Sequence, residues 1–133
     1  MDNKLKVSVI MPIYNAAEFL REGLDSLLKQ TLHEIEIICV NDGSKDQSLE
    51  ILREYEKKDS RIKIIDQKNQ GAGAARNNGM HVAQGEYLAF LDSDDFFEPN
   101  MLEEAYNAAH KKDAEICVYN ADLFDHTEKK YKK

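Results

Sequence analysis

The sequence has few cysteines, few prolines and no long apolar run, and each shortage excludes a class of protein. Two cysteines in 133 residues are too few for a disulfide framework. Cys39 and Cys117 lie in apolar, strand-like runs, so we expect buried free thiols in a reducing compartment. No run approaches the ~18 apolar residues that span a bilayer, and the start MDNKLKVSVI lacks the apolar segment of a signal peptide. We therefore expect a cytoplasmic location, which includes the cytoplasmic face of the membrane.

Positive charge is also scarce, because 18 lysines and arginines face 25 aspartates and glutamates, for a formal net charge of −7. Nucleic-acid binding draws its affinity from clustered basic side chains that displace counterions, so no nucleic-acid partner is expected. An anionic small molecule would have to be held locally, by a cation, a helix N-terminus or a few aimed basic side chains.

The sequence does contain a regular alternation of apolar runs and amphipathic segments. Nearly continuous apolar runs, typical of strands covered on both faces, lie at residues 7–13, 35–40, 62–65, 87–91 and 116–119. Helical spacing between them includes two stripes, one of Phe19, Leu20, Gly23, Leu24, Leu27 and Leu28, and one of Ala75, Gly79, Val82 and Ala83. This pattern predicts an α/β fold, a Rossmann-like α/β/α sandwich with a mainly parallel sheet. We expect one domain over residues 1–125 and a polar tail over 126–133.

Boundary residues agree with this alternation. Asn15 followed by Glu18 fits an N-cap and its capping-box partner. Gly85 fits the position after a helix end, and Pro99 fits the first turn of the next helix.

Polar clusters follow three of the predicted strands, at the carboxyl ends where open α/β sheets bind ligands. The clusters are PIYN at residues 12–15, NDGS at 41–44 and DSDD at 92–95. In an extended segment Asp92 and Asp94 would point to the same side and Ser93 away, which suits a divalent cation that also binds substrate phosphates. The alternative is that these aspartates cap the next helix and face water.

Two residues of the other clusters suit a nucleobase. Ionised Asp42 only accepts hydrogen bonds, so it would select a base with a ring N–H, as in uracil, thymine or guanine. Tyr14 could stack on that base. The alternatives are that Asp42 belongs to a simple turn and that Tyr14 packs in the core.

The stretch NQGAGAARNNG at residues 69–79 is not a dinucleotide fingerprint, because it lacks the third spaced glycine and follows the third strand. Its small residues would let the next helix approach the sheet or a ligand closely. Arg76 would meet a diphosphate or pair with an acidic loop, and the sequence leaves both open. The four histidines show no ligand spacing and are assigned no chemistry.

Four motifs in this order and spacing resemble the family 2 glycosyltransferases of the GT-A fold. They are VSVIMPIYN at residues 7–15, VNDGS at 40–44, GAGAARN at 71–77 and GEYLAFLDSDD at 85–95, and the likeness covers roughly residues 5–120. The resemblance implies metal-dependent transfer of a sugar, with inversion, from a nucleotide diphosphate sugar to an acceptor hydroxyl.

The resemblance also implies roles for individual residues. Metal binding (Mn²⁺ or Mg²⁺) falls to Asp94 directly, with Asp92 and the adjacent Asp95 as further candidates. Nucleotide-sugar binding falls to a set that shares the strand-end motifs: Pro12, Tyr14, Asn15, Asp42, Arg76, Asp92 and Ser93. A UDP-sugar is the expected donor, with GDP- and dTDP-sugars as alternatives. The expected acceptor is a glycan or a lipid-linked molecule of cell-envelope polysaccharide synthesis.

The general base that inversion needs has no candidate in the matched motifs, so we expect a donor-binding part of a longer enzyme, and the sequence leaves open whether this part is active alone. A nucleotide-binding domain of assembly or regulation, without catalysis, is the second hypothesis. Two other enzyme classes are disfavoured. A sugar-1-phosphate nucleotidyltransferase would need a loop with Gly, Arg and Lys after the first strand, where this chain has MPIYN. A phosphatase would place its Asp-x-Asp after the first strand, and here it follows the fourth. An exposed sheet edge and apolar flank would favour self-association.

Overall fold

The computed structural model describes residues 4–112, together with the short segments 123–125 and 130–132. In chain order the elements are β1 Val7–Ile13, α1 Ala17–Leu28, β2 Ile35–Asp42, α2 Ser48–Lys58, β3 Ile62–Gln67, α3 Ala72–Val82, β4 Tyr87–Phe90, α4 Met101–Lys111, β5 Leu123–Asp125 and β6 Lys130–Lys132. Strands and helices alternate through α4, as the apolar pattern predicted. The predicted strand at 116–119 and Cys117 lie outside the described residues.

Four parallel strands form the main sheet in the order β3-β2-β1-β4. Parallel neighbours need a crossover, and here each crossover contains a helix. The central strands β1 and β2 are buried along nearly their whole length, which explains why their sequences are continuously apolar. The predicted α/β class and mainly parallel sheet are therefore confirmed.

Helices cover both faces of this sheet, so the predicted sandwich is confirmed. Side chains that alternate along β1 divide between two cores. The larger core packs α1, α2 and α4 on one face, and its β1 members are Val7, Val9, Met11 and Ile13. The smaller core packs α3 on the other face, against Ile10, Ile38 and Val40.

The predicted helical stripes are confirmed in part. In α1 the buried residues are Leu20, Gly23, Leu24 and Leu27. In α3 the small residues allow close packing, because a Cβ on Gly79 would lie 2.8 Å from Cγ2 of Ile10. Val82, expected on the same stripe, is 50% exposed because α3 reaches the sheet only through its smaller residues.

Strand β4 lies at one edge of the described sheet and leaves apolar side chains open to solvent. Leu88 and Phe90 are 44% and 41% exposed, and Met80 on the neighbouring helix α3 is 37% exposed. Within the described part of the chain, β4 pairs with β1 alone. The expected exposed edge and apolar flank are therefore present among these residues.

The predicted capping box of α1 is wrong. The N-cap is Ala16, no side chain of the helix's own start caps it, and Asn15 takes a left-handed φ of 50°. The first N–H groups instead find partners in the loop after β2 and at the first residue of α2: Ala17 N donates to Asp46 Oδ2 at 3.1 Å and Ala16 N donates to Ser48 Oγ at 3.1 Å. Tertiary acceptors therefore replace the local cap.

The predicted roles of Gly85 and Pro99 are also wrong. Helix α3 ends at Val82 and is capped by Ala83, and a Cβ on Gly85 would lie 2.6 Å from the backbone nitrogen of Ser8. Gly85 therefore serves close packing of β4's start on β1. Pro99 precedes Asn100, the N-cap of α4, and its carbonyl accepts from Thr31 N at 2.8 Å.

The last described segments form a separate pair of strands. Lys130–Lys132, within the predicted polar tail, pairs antiparallel with Leu123–Asp125. No helix in the described part of the chain is long and apolar enough to cross a membrane.

Candidate functional site

The carboxyl ends of the four parallel strands meet at one edge, and the three predicted polar clusters lie there. Ile13 pairs with Asn41, so the loops after β1 and β2 leave the sheet at the same level. β4 ends earlier, because Phe90 pairs with Ile10 and Leu91 N donates to the Ile10 carbonyl at 3.1 Å. The acidic segment therefore begins beside the last third of β1.

The acidic segment is a turn and not an extended strand, which corrects the geometry expected from the sequence. Asp95 N donates to the Asp92 carbonyl at 2.9 Å, and the strand has already ended at Phe90. Because the chain turns back, one carboxylate oxygen from each of Asp92, Asp94 and Asp95 lies within 4.8 Å of the others, and all three residues are exposed. Ser93, within the turn, is partly buried.

Three exposed carboxylates this close repel one another, and one basic side chain offsets part of that repulsion. Arg76 Nη2 lies 3.2 Å from Asp92 Oδ1, with both side chains partly exposed. Of the two roles that the sequence left open for Arg76, pairing with the acidic loop is the one this structure contains.

The donor set of this turn fits a hard divalent cation. It offers only carboxylate oxygens, which Mg²⁺ and Mn²⁺ prefer, and its exposure leaves room for water and phosphate ligands. Asp92, Asp94 and Asp95 are thus the residues that could hold a metal ion here.

Helix α1 packs against the acidic turn through residues for which the sequence predicted no functional role. A Cβ on Gly23 would lie 2.9 Å from the Asp95 carbonyl oxygen, so only glycine lets the turn approach this closely. One helical turn on, Ser26 Oγ accepts from Phe97 N at 3.1 Å.

Buried Gln30 continues this contact beyond the end of α1. Its Nε2 donates to the Glu98 carbonyl at 2.7 Å and its Oε1 accepts from Leu102 N at 3.0 Å. Glycine, serine and glutamine at a spacing of three and four along an otherwise apolar face are the signal that could have revealed this support.

Asp42 is the last residue of β2 and is only 3% exposed. Its carboxylate accepts from Gln67 Nε2 at 3.0 Å, Gln70 N at 2.7 Å and Gly71 N at 3.0 Å, with Asn69 Nδ2 at 3.4 Å. Burial alone would raise the pKa of Asp42, but these hydrogen bonds outweigh it and the pKa is lowered. The alternative of a solvent-facing turn residue is therefore excluded.

The neighbouring Asn41 is buried and only half satisfied. Its Nδ2 donates to Asp66 Oδ1 at 3.0 Å. Among buried side-chain atoms of the described residues, only its Oδ1 has no hydrogen-bond partner. Such an acceptor calls for a donor from water or a ligand.

The residues of the cluster at 12–15 differ in how exposed they are. Tyr14 is 50% exposed and follows the Ile13–Asn41 pair directly, which places it level with Asp42 and excludes core packing. Pro12 is partly buried within β1. Asn15 links the loops, because its Oδ1 accepts from Lys45 N at 2.7 Å and its backbone N donates to Ser44 Oγ at 3.0 Å.

Helix α3 connects Asp42 to the acidic turn. Its N-cap Gly71 donates to Asp42, and Arg76, about 7–8 Å further along the helix axis, contacts Asp92. A Cβ on Gly71 or Gly73 would meet no atom within 4 Å, so these two glycines face open space. Helix N-termini attract anions, and the Asp42 carboxylate already accepts from the N-cap amide of Gly71.

Comparison with known proteins identifies the family of this chain. The sequence profile described as "Glycosyl transferase family 2" matches residues 8–133. Glycosyltransferase GlyG of Streptococcus pneumoniae is 42% identical over 92% of this chain and 41% of its own length. Cholesterol galactosyltransferase of Borreliella burgdorferi is 46% identical over 86% of this chain and 32% of its own length.

A crystal structure of S. aureus TarS residues 1–349 in complex with UDP superimposes with a TM-score of 0.75 at 35% identity, over 80% of this chain and 32% of that chain. The chain spans between about a fifth and two fifths of the length of three of the curated relatives that it matches. The fold is GT-A, and the chain belongs to glycosyl transferase family 2.

Proposed function

We propose that this chain binds the donor of an inverting, metal-dependent glycosyltransferase. The observation that carries the proposal is the acidic turn in a family 2 chain: three carboxylates within 4.8 Å of one another, at the carboxyl edge of the sheet. S. aureus TarS, a structural relative at 35% identity, has been crystallised with UDP and with UDP-GlcNAc, which supports a UDP-sugar as donor.

The diphosphate of the donor would lie between the acidic turn and the start of α3. Asp94, Asp92 and Asp95 would hold Mn²⁺ or Mg²⁺, which when bound stabilises negative charge on the departing diphosphate. The N-terminal turn of α3, beyond the Gly71 amide that Asp42 already uses, and Arg76 would supply further positive potential. This answers how a chain of net charge −7 would bind an anion.

The nucleoside would lie toward β1 and β2. Half-exposed Tyr14 would stack on the base, beside Pro12, and Asp42 would accept the base N–H. Asn15 and Ser93 stay candidates for contacts with the sugar-nucleotide.

In the proposed reaction the bond between the anomeric carbon and the diphosphate oxygen breaks while the acceptor oxygen bonds to the opposite face, which inverts the configuration. The proton of the acceptor hydroxyl goes to a general base, for which no matched motif offers a candidate. We propose a glycan or lipid-linked acceptor, as in cell-envelope polysaccharide synthesis. Among the described residues β4 has no strand partner on its outer edge, and Leu88 and Phe90 are exposed, which supports self-association.

Calorimetric titration with UDP, GDP and dTDP, each with and without Mn²⁺, tests the donor site. Asp94→Ala should abolish the metal-dependent part of binding and leave the fold intact, because the side chain is exposed. Glu34→Ala is the matched control, since it removes an exposed carboxylate at the opposite end of the sheet. Equal losses in both variants would mean that general charge, and not the acidic turn, controls binding.

A further inference from the structure

The carboxylate of Asp42 has no acceptor position to spare. An ionised carboxylate has about four lone-pair sites, and four N–H donors of this chain already point at them. The donors are the side-chain amides of Gln67 and Asn69 and the backbone amides of Gln70 and Gly71. A ligand N–H can therefore reach this carboxylate only by replacing one of these donors.

The four donors are not equally replaceable. The backbone N–H groups of Gln70 and Gly71 lie at 2.7 and 3.0 Å and belong to the segment that starts α3. Gln67 Nε2 lies at 3.0 Å, and Gln67 is also held because its Oε1 accepts from Asn78 Nδ2 at 2.6 Å. Asn69 Nδ2 lies at 3.4 Å, the longest of the four.

Asn69 also lies against the backbone next to the carboxylate. Its Nδ2 donates to the Asp42 carbonyl at 3.0 Å. A Cβ on Gly43, which has a φ of 73°, would lie 2.7 Å from the Asn69 backbone nitrogen and 3.1 Å from its Cβ. The residue is itself exposed, so its side chain can rotate into water while the backbone stays in place.

We propose that Asn69 is a displaceable cover over Asp42, whose side-chain amide occupies the position that the nucleobase N–H takes on binding. This rests on the proposed donor function. The ring N–H of uracil, thymine or guanine would replace Asn69 Nδ2, while the Gln70 and Gly71 amides keep their bonds and orient the carboxylate. Part of the base-binding free energy is therefore spent on moving one side chain.

The test compares UDP and CDP binding by the wild-type chain, Asn69→Ala and Gln70→Ala. Asn69→Ala should raise UDP affinity about tenfold, the size of one hydrogen bond to a charged group. CDP, whose base lacks the ring N–H, should gain much less. Gln70→Ala is the matched control, because it removes a side-chain amide next door but keeps the backbone donor to Asp42.

Each outcome decides the matter. Unchanged or weaker UDP binding by Asn69→Ala, beside a wild type that binds UDP, overturns the cover but leaves the donor site standing. UDP binding by Asn69→Ala but not by the wild type would support both the cover and the donor site. No binding by either overturns the cover as well as nucleotide binding by this chain.

A second measurement covers the case in which Asn69→Ala disturbs its loop. In nitrogen-15 NMR spectra of the wild type, UDP should strongly shift the resonances of the Asn69 side-chain amide. The backbone amides of Gln70 and Gly71 should stay protected from hydrogen exchange with solvent. Loss of protection at Gln70 and Gly71 would mean that the whole loop opens, which contradicts a cover made of one side chain.

Discussion

Gly23→Ala is the substitution that most directly tests how the acidic turn is held. The new methyl would lie 2.9 Å from the Asp95 carbonyl oxygen, whereas carbon–oxygen contacts usually settle at about 3.3–3.6 Å. The turn or the helix must therefore shift by roughly half an ångström. Met11 Cε, at 3.4 Å, limits movement of the methyl on its other side.

Two opposing terms set the change in the free energy of unfolding. Alanine is favoured over glycine inside a helix by about 1 kcal/mol. Overpacking in a closed site costs about 1–3 kcal/mol. Gly23 is buried and its nearest neighbour is backbone, so we expect the second term to win and the variant to lose up to about 2 kcal/mol. Urea unfolding followed by circular dichroism measures this.

Gly79→Ala is the matched control, because its methyl would lie 2.8 Å from Ile10 Cγ2, an equally tight contact on the other face of the sheet. We expect a comparable loss of stability in this variant. Metal-dependent UDP binding, measured by calorimetry, should fall about tenfold in Gly23→Ala and less in Gly79→Ala, because Gly23 contacts the acidic turn itself whereas Gly79 contacts only Ile10 and Val40.

A Gly23→Ala variant that is more stable than the wild type and keeps its metal-dependent affinity would contradict this prediction. That result would mean that helix propensity decides and that the contact with Asp95 is loose. Equal weakening of binding in both glycine variants would show that general loosening, and not displacement of the turn, is responsible.

Two further predictions concern the opposite end and the edge of the sheet. Burial would raise the pKa of Glu36, but hydrogen bonds from Lys63, Ser8 and the backbone of Gln84 lower it overall. The ionised Glu36 carboxylate therefore stabilises the fold above the unfolded pKa of about 4.3, and this stabilisation is lost as the pH falls through the folded value. Glu36→Gln should lower the free energy of unfolding by about 1.5–3 kcal/mol at pH 7 and make it depend less on pH under acid conditions. The exposed Glu34→Gln should do neither. Light scattering should show concentration-dependent self-association that Leu88→Lys reduces, and a strictly monomeric wild type would contradict it.

The central strands could be predicted because burial on both faces requires nearly every residue in them to be apolar. β1 was predicted with both of its observed ends, since the apolar run stops where the buried strand stops. β2 and β3 each extend two residues further, to Asp42 and Gln67, because these polar residues pair with each other in register. A polar residue that ends a parallel strand looks the same in sequence as one that begins a loop.

The helix starts were harder, because their partners are distant in sequence. Local rules assign Asn15 as the cap of α1, yet Asp46 and Ser48 provide the acceptors from about 30 residues away. Those two residues look in sequence like the start of α2 and nothing more. Asp46 also accepts from Ser48 N at 2.9 Å, so one side chain serves the starts of both α1 and α2, and local spacing does not reveal this.

The candidate site shows the same division between residue identity and residue state. The sequence placed Asp42 at the ligand-binding edge and assigned it an acceptor's role from its chemistry alone. Whether a carboxylate can accept from a ligand depends on how many of its lone pairs are already used, and here the donors come from 25 to 29 residues downstream. A free acceptor and a saturated one differ in no local pattern, so the role of Asp42 depends on whether Asn69 yields its place.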